Sequence, residues 1–477
     1  MTTTPRVPRS HPPTATTPAP RHNQFLAAAL DQAGWTPRDL IRALNPRLDA
    51  AGETRLHPTA AYSWLRGSTP RSPVVRRLTT TVLTEATGTP CTTALWGPGH
   101  KPVTEPTATD HLLGSRTLPA VLDTTAAWVT SPDQHITAHP APPDRLTTAV
   151  WDATHHDTTP PPPRPSGPDR VPPPLADVLE DQLHSLRRLD DRTGGGPLSQ
   201  RHVRLALGEV IHLLRTCRYD AHTGTRLLRT AAGHAQLAGW MAFDADLTAA
   251  AQRYQLLAIR LARAAGDHDT VANVLGMLSY QHAAHAQPDT ALRFAAAAVE
   301  HTARGLPLVR ARALGRLATA HASAGDIDNF RRATDQCHTL LQRRSPADPP
   351  SLYYFTAEQV AAESGQALVD LAAAHPGRAR RLLAEATELL SPLAHQTSAY
   401  RRSALLHSIH LARARLLSKD PHATAQSLTT VADRLPHVQS VRCRLLLTQL
   451  GRHARRHLCS ADRATAIQAL ERAVSTP

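Results

Sequence analysis

The stretches AQRYQLLA at 251–258 and ALRFAAAA at 291–298 carry one pattern twice, with Ala251, Tyr254 and Ala258 returning as Ala291, Phe294 and Ala298. Each copy reads as the second helix of a hairpin. The first helix repeats with it, because Leu275 and Gly276 return thirty-nine residues later as Leu314 and Gly315. A small residue at a helix crossing, an aromatic one turn on and a second small residue after it let two helices approach closely and stack on the next pair. Hairpins repeated in this way predict an α-solenoid, in which each pair contacts its neighbours and the stack offers a concave surface to a partner.

Outward from that stretch, helix signals run almost without interruption from residue 175 to about 470. Less regular copies centre on Ala379, Leu382 and Ala386 and on Ala425, Leu428 and Ala432, so about five hairpins are expected. Gly266 with Asp267, and Gly325 with Asp326, read as turns that stop a helix. The run DDRTGGG at 190–196 reads as a break between a helix ending near Leu189 and another beginning near Val203. No strand precedes its three glycines and no Lys-Ser or Lys-Thr pair follows, so a phosphate-cradling loop is not supported and a flexible connection is the simpler reading.

Composition divides the chain. Most of its 40 prolines precede residue 175, whereas the remainder is rich in Ala, Leu, Arg and His. The 477 residues and the apolar fraction of 41% allow more than one domain with a real core. The net charge is +14, but Lys101 and Lys419 are the only lysines, and such arginine enrichment follows from a GC-rich coding sequence as readily as from a polyanionic partner. Residues 21–96 carry nine Arg against five acidic residues (+4), 97–174 five basic against eight acidic (−3), and 175–477 thirty-seven against twenty-six (+11). Charge therefore does not say which part meets a polyanion. The five cysteines stand singly without CxxC spacing, which argues against zinc ribbons and disulfide frameworks and fits a reducing cytoplasm. No segment reaches the roughly 18 apolar residues of a membrane span.

Residues 1–20 are expected to be a disordered tail, and 21–96 a helix-turn-helix-like unit. Asn23 can cap a helix closed by Gly34. Thr36 to Asp39 resembles a capping box, with Leu40, Ile41 and Leu44 as the buried face of the second helix. A third helix begins at Pro58 and Thr59, turns Ala61, Trp64 and Leu65 inward and stops at Gly67; a fourth opens at Ser72 and Pro73. If this third helix enters a major groove, Thr59, Ala60, Tyr62 and Ser63 face base edges while Arg66, Arg71, Arg76 and Arg77, with Arg38, reach phosphates. None of the groove-facing residues makes a bidentate base contact, so readout would rest on phosphates and shape. The segment from Asn45 to His57 reads as an insertion of about a dozen residues where such motifs have a turn of ~3–4. The competing reading is a small helical bundle whose Trp64 is merely core and whose arginines are merely solvated.

Residues 97–174 read as a Pro/Thr-rich linker, with prolines at 160–163 and 172–174 favouring an extended spacer over an SH3-type ligand. Leu118, Val121, Leu122 and Trp128 form one weak helical insert in it, and with the apolar Val150 and Trp151 they predict that part of this region folds onto a neighbour. His453 with His457, near Cys459, and His407 with His410 have helical ligand spacing, but no third ligand can be named and no metal or cofactor is expected. The many carboxylates read as solvated helix faces. No catalytic constellation can be assembled, so an enzyme is not expected.

The SWLRG stretch at 63–67 with Pro70, then LDDRTGGG at 189–196, and above all AQLAGWMAFD at 235–244 running into AQRY at 251–254 and RLARAAGD at 260–267, resemble actinobacterial transcriptional regulators. These pair an N-terminal helix-turn-helix-like domain with a C-terminal tetratricopeptide-like array and include the type that negatively regulates antibiotic production and sporulation. The likeness covers about residues 21–470 and is most specific in the array. It implies a DNA-binding regulator whose array binds a protein or peptide, or a second copy as a homodimer, in secondary metabolism or development. The repeat length near 40 exceeds the ideal period of ~34. The alternative from another class is an adaptor whose head docks on protein and never touches DNA.

Overall fold

The computed structural model describes residues 23–87, 91, 93–96, 114, 117–130, 140–155, 167–303, 305–394, 400–457, 464 and 468. The expected tail, the prolines at 160–163, the His457 side chain and Cys459 lie outside the described residues. Contacts divide the chain into two units at Thr104. Both are helical, and among the described residues there is no strand, only a single bridge between Arg170 and Arg218. No described helix is long and apolar enough to cross a membrane.

The first unit contains α1 (Gln24–Ala33), α2 (Pro37–Ala50), α3 (Ala60–Leu65) and α4 (Pro73–Thr87), followed by a 3-10 turn at Thr93–Trp96. Local chemistry sets its boundaries as expected. The Asn23 side chain accepts from Leu26 N, Gly34 closes α1 at φ 65°, and Thr36 and Asp39 exchange both hydrogen bonds of a capping box. Leu26, Leu40, Ile41, Leu44 and Leu83 are fully buried, and Trp64 meets Trp96 edge to face at 5.7 Å. The reading of 45–57 as insertion is corrected in part. Helix α2 continues through Pro46 to Ala50, leaving only 51–59 as the connection. Asn45 holds that connection with both halves of its amide, donating to Leu56 O (3.1 Å) and accepting from Leu56 N (2.9 Å).

The second unit begins with α5 (Leu118–Val129) and α6 (Pro143–His155), where one weak insert was expected. As expected, part of this segment folds onto its neighbours: α5 packs on α8 (Pro197–Thr216) and α10 (Thr248–Ala264), and α6 packs on α10. Trp128 is fully buried with its ring centroid 4.2 Å from that of Tyr254, the first aromatic of the repeat. The prolines at 172–174 do not act as a spacer either. They open α7 (Pro173–Thr193), where a missing N–H costs nothing and the fixed φ suits a helix start.

After α8 come five helix pairs among the described residues: α9 (Ala221–Asp244) with α10, α11 (His268–Ala284) with α12 (Pro288–His301), α13 (Pro307–Ser323) with α14 (Ile327–Leu341), α15 (Ala357–Ala374) with α16 (Ala379–Ala394), and α17 (Arg401–Leu417) with α18 (Pro421–Arg434). Helix α19 (Val441–His457) follows. The expected packing residues lie at these crossings: Ala251, Ala258, Ala291 and Ala298 are fully buried, and Tyr254, Phe294, Leu275 and Leu314 nearly so. Gly266 and Gly325 take left-handed φ of 66° and 75°, and the aspartates after them cap α11 and α14.

The array also closes on itself. Successive first helices of the pairs pack side by side as an inner layer, and α7 packs on both α9 and α17 while α19 touches α9. Gln439 N donates to Thr193 O at 2.7 Å across this closure. The break is therefore later and tighter than the sequence suggests: α7 keeps Asp190 and Asp191 on the helix, and the glycines are a close backbone crossing. Gly194 sits at φ 78°, ψ 178°, a region only glycine occupies freely, and a Cβ there would lie 2.6 Å from Gln439 O. Gly194→Ala is expected to cost about 3 kcal/mol in denaturant unfolding, from strain plus the displaced closure. Gly196→Ala, whose added carbon would meet the flexible Gln439 side chain, should cost less; equal losses at the two sites would separate Gly194 from the closure.

Candidate functional site

The inner layer lines a partly open cavity of about 270 Å³. Its wall draws polar and aromatic residues from α7, α9, α11, α13, α15, α17 and α19, and from the segment before α15 that carries Tyr353 and Tyr354. Five arginines contribute: Arg187, Arg312, Arg316, Arg402 and Arg442. Carboxylates read from sequence as solvated faces are here the buried counter-charges.

Arg312 grips Glu363 with two hydrogen bonds, at 2.8 and 3.3 Å, and Gln359 Nε2 donates to the same carboxylate at 3.0 Å. Burial pushes the Glu363 carboxyl up, but Arg312 and Arg316 overcome it and hold the group down at about 2. Arg402 lies 3.3 Å from Asp190 and 3.7 Å from Asp191, and Tyr353 donates its hydroxyl to Asp191. Burial raises the Asp190 carboxyl to about 7 against the pull of Arg402, because its contact is an ion pair without a well-formed hydrogen bond. Arg442 lies 3.5 Å from Asp244 and donates to Tyr280 Oη at 3.2 Å.

Aromatic faces support these cations. The guanidinium carbons of Arg402 and Arg442 lie 5.3 and 5.5 Å from the Trp240 ring centre, and those of Arg316 and Arg442 lie 4.3 and 5.5 Å from that of Tyr280. Gly276 makes room for this arrangement, since a Cβ there would sit 3.0 Å from Arg316 Cγ. Leu314 and Gly315, the other half of that repeat, lie on the helix that carries Arg316.

Gln366 Nε2 donates to Nδ1 of His407 at 2.7 Å, which leaves His407 as a buried neutral imidazole whose Nε2 has no protein partner. Its helical neighbour His410 is likewise held well below the ordinary histidine range by burial. Among the described residues no three His, Cys, Asp or Glu converge as metal ligands.

In the first unit, Ala61 and Trp64 point into the core while Tyr62 is 41% exposed. Thr59, Arg66, Arg71 and Arg77 are exposed, and Ala60 and Ser63 are half-buried. Thr59 Oγ1 lies 2.8 Å from His57 Nδ1, and Ser63 Oγ donates to Ala60 O at 2.8 Å, so Ser63 is turned back on its helix. Arg76 is engaged in the fold, donating to Pro70 O (2.7 Å) and Arg71 O (3.1 Å). Arg38 is exposed on the first turn of α2, apart from the α3 set.

The pocket escaped the sequence reading, although one signal was present. Trp240 and Tyr280 stand forty residues apart, in step with the packing repeat but on its inner face.

No family model and no curated protein sequence matches the chain. A solved structure described as "Circular tandem repeat protein with novel repeat topology and enhanced subunit contact surfaces" is similar over 94% of this chain and 98% of its own, at 13% identity and a TM-score of 0.16. At that score the likeness carries no argument.

Proposed function

We propose that the chain is a DNA-binding transcriptional regulator in which the helix-turn-helix-like head meets DNA and the tetratricopeptide-like array receives the signal. The observation that carries the DNA reading is the outward set of Tyr62, Arg66, Arg71 and Arg77 around a helix whose Ala61 and Trp64 anchor it to the core. With α3 only six residues long and Arg76 committed to backbone carbonyls, few side chains remain for phosphates. A single head should therefore bind weakly, and useful affinity would need two heads on one duplex. A cavity of about 270 Å³ suits a small molecule, so a protein partner or second copy would use the outer surface of the array.

Arg66→Glu combined with Arg71→Glu is expected to abolish binding of the full chain to genomic DNA fragments. Each single charge reversal should lower the dependence of log K on log salt by about 1. Unchanged DNA binding in the double variant would favour the adaptor, with a head that docks on protein.

A further inference from the structure

We propose that the pocket of the array binds a small organic anion, its carboxylate or phosphate group held between Arg316 and Arg442 and its body against the aromatic wall. The inference rests on reading the array as the signal-receiving part, and it stands independently of whether the head meets DNA.

The argument begins with hydrogen-bond accounting. Glu363 is satisfied by Arg312 and Gln359, and Arg316 comes only to 3.8 Å of it. Arg316 is 4% exposed and lies over the Tyr280 ring, and its approach to Glu363, at 3.8 Å, is beyond hydrogen-bonding distance, so among the described residues it forms an ion pair there and no hydrogen bond. Arg442, over the same ring, donates to Tyr280 Oη through Nη1 and comes to 3.5 Å of Asp244 through Nε, yet its Nε and Nη2 are buried without a hydrogen-bond partner. A buried guanidinium whose donors go unmet is a net cost, and a well-packed apolar side chain in its place generally serves a fold better. Two such groups facing one cavity point to an acceptor that comes from outside.

The side chains also define that acceptor. A planar guanidinium fork matches carboxylate and phosphate oxygens, which lysine does not do, and the array between residues 175 and 418 contains no lysine at all. Trp240, Tyr280 and Tyr354 add flat apolar surface beside the cations. For size, an apolar cavity of about 150 Å³ accommodates benzene, so 270 Å³ takes roughly a dozen non-hydrogen atoms. That is the scale of a monoaromatic acid.

The test is the melting temperature of the full chain, without DNA, in millimolar 3-phenylpropionate, phenyl phosphate or inorganic phosphate, with uncharged 3-phenylpropionamide as the isostere. At least one charged aromatic probe should raise it by about 2 °C or more while the amide does not. Which probe acts distinguishes a carboxylate ligand from a phosphate. Arg316→Met should remove the shift, and Arg316→Lys should weaken binding at least about ten-fold by keeping charge without the fork. Ligand-free Arg316→Met should melt at or above the wild-type temperature, because Arg312 still holds Glu363. The proposal is overturned if no charged probe shifts the melt, if the amide shifts it equally, or if the shift survives in Arg316→Met. It is also overturned if that variant melts far lower or fails to fold, since the guanidinium would then serve the structure. None of these outcomes bears on the head, whose salt-dependent DNA binding is measured separately.

Discussion

Acidification from pH 6.5 towards pH 4 is expected to remove about 5 kcal/mol of folding stability, and the loss originates in histidines. Burial lowers His234, His285 and His407 from 6.5 to about 4. In the unfolded chain they gain protons as the pH falls through 6.5, whereas the folded chain keeps them neutral until about 4. Stability is therefore complete above 6.5 and drains away between those values, by about 3 kcal/mol for each group. Asp190 works in the opposite direction. Its folded carboxyl titrates near 7 against 3.8 unfolded, so its ionised form burdens the fold above pH 7, and about 4 kcal/mol returns on acidification. Three histidines outweigh one aspartate, and His410 adds to their side. Denaturant unfolding across pH 7.5 to 4.5 measures the net slope. His407→Gln should flatten it, whereas Asp190→Asn should steepen it by removing the compensating term. A stability that holds constant to pH 4.5 would mean that these imidazoles are not sequestered as described.

The second large effect concerns the carboxylate that anchors Arg312. Glu363→Ala is expected to destabilise the chain by about 3–5 kcal/mol, because Arg312, which it holds by two hydrogen bonds, is left as a buried cation without its counter-charge. Arg312 is nearly inaccessible, so solvent screening relieves little of that cost. Adding Arg312→Met to Glu363→Ala should recover much of the loss. Equilibrium unfolding of both single variants and of the double variant isolates the coupling. If the two single losses simply add, the pair is not acting as a pair.

The elements of this fold were legible because their causes are local. Asn23, the Thr36–Asp39 box, Gly67, Gly266 and Gly325 act within one turn of chain, and the repeat of Ala251, Tyr254 and Ala258 shows which faces pack. What stayed hidden depends on residues far apart in sequence. Whether Asp190, Asp244 and Glu363 are solvated or buried is decided by arginines contributed from other helices, and a single helix-face pattern cannot distinguish the two. Helix ends were misjudged for a related reason. Asn45 through Ala50 was read as part of an insertion, yet α2 runs on through Pro46, Arg47 reaches Glu85 on α4 and the Asn45 amide secures the connection. The repeated helical pattern anticipated a helical array, but not that its ends would meet around a cationic cavity.

That meeting of ends bears on how the protein is made. Asp190 leaves the ribosome more than two hundred residues before Arg402, its partner in the ring. A nascent chain can stack its first hairpins early, but the chamber cannot exist until Arg402 and Arg442 have emerged. Duplication or loss of a single hairpin, by which open arrays commonly drift in length over generations, would pull Thr193 and Gln439 out of register. Closure through this contact thus requires the present number of hairpins.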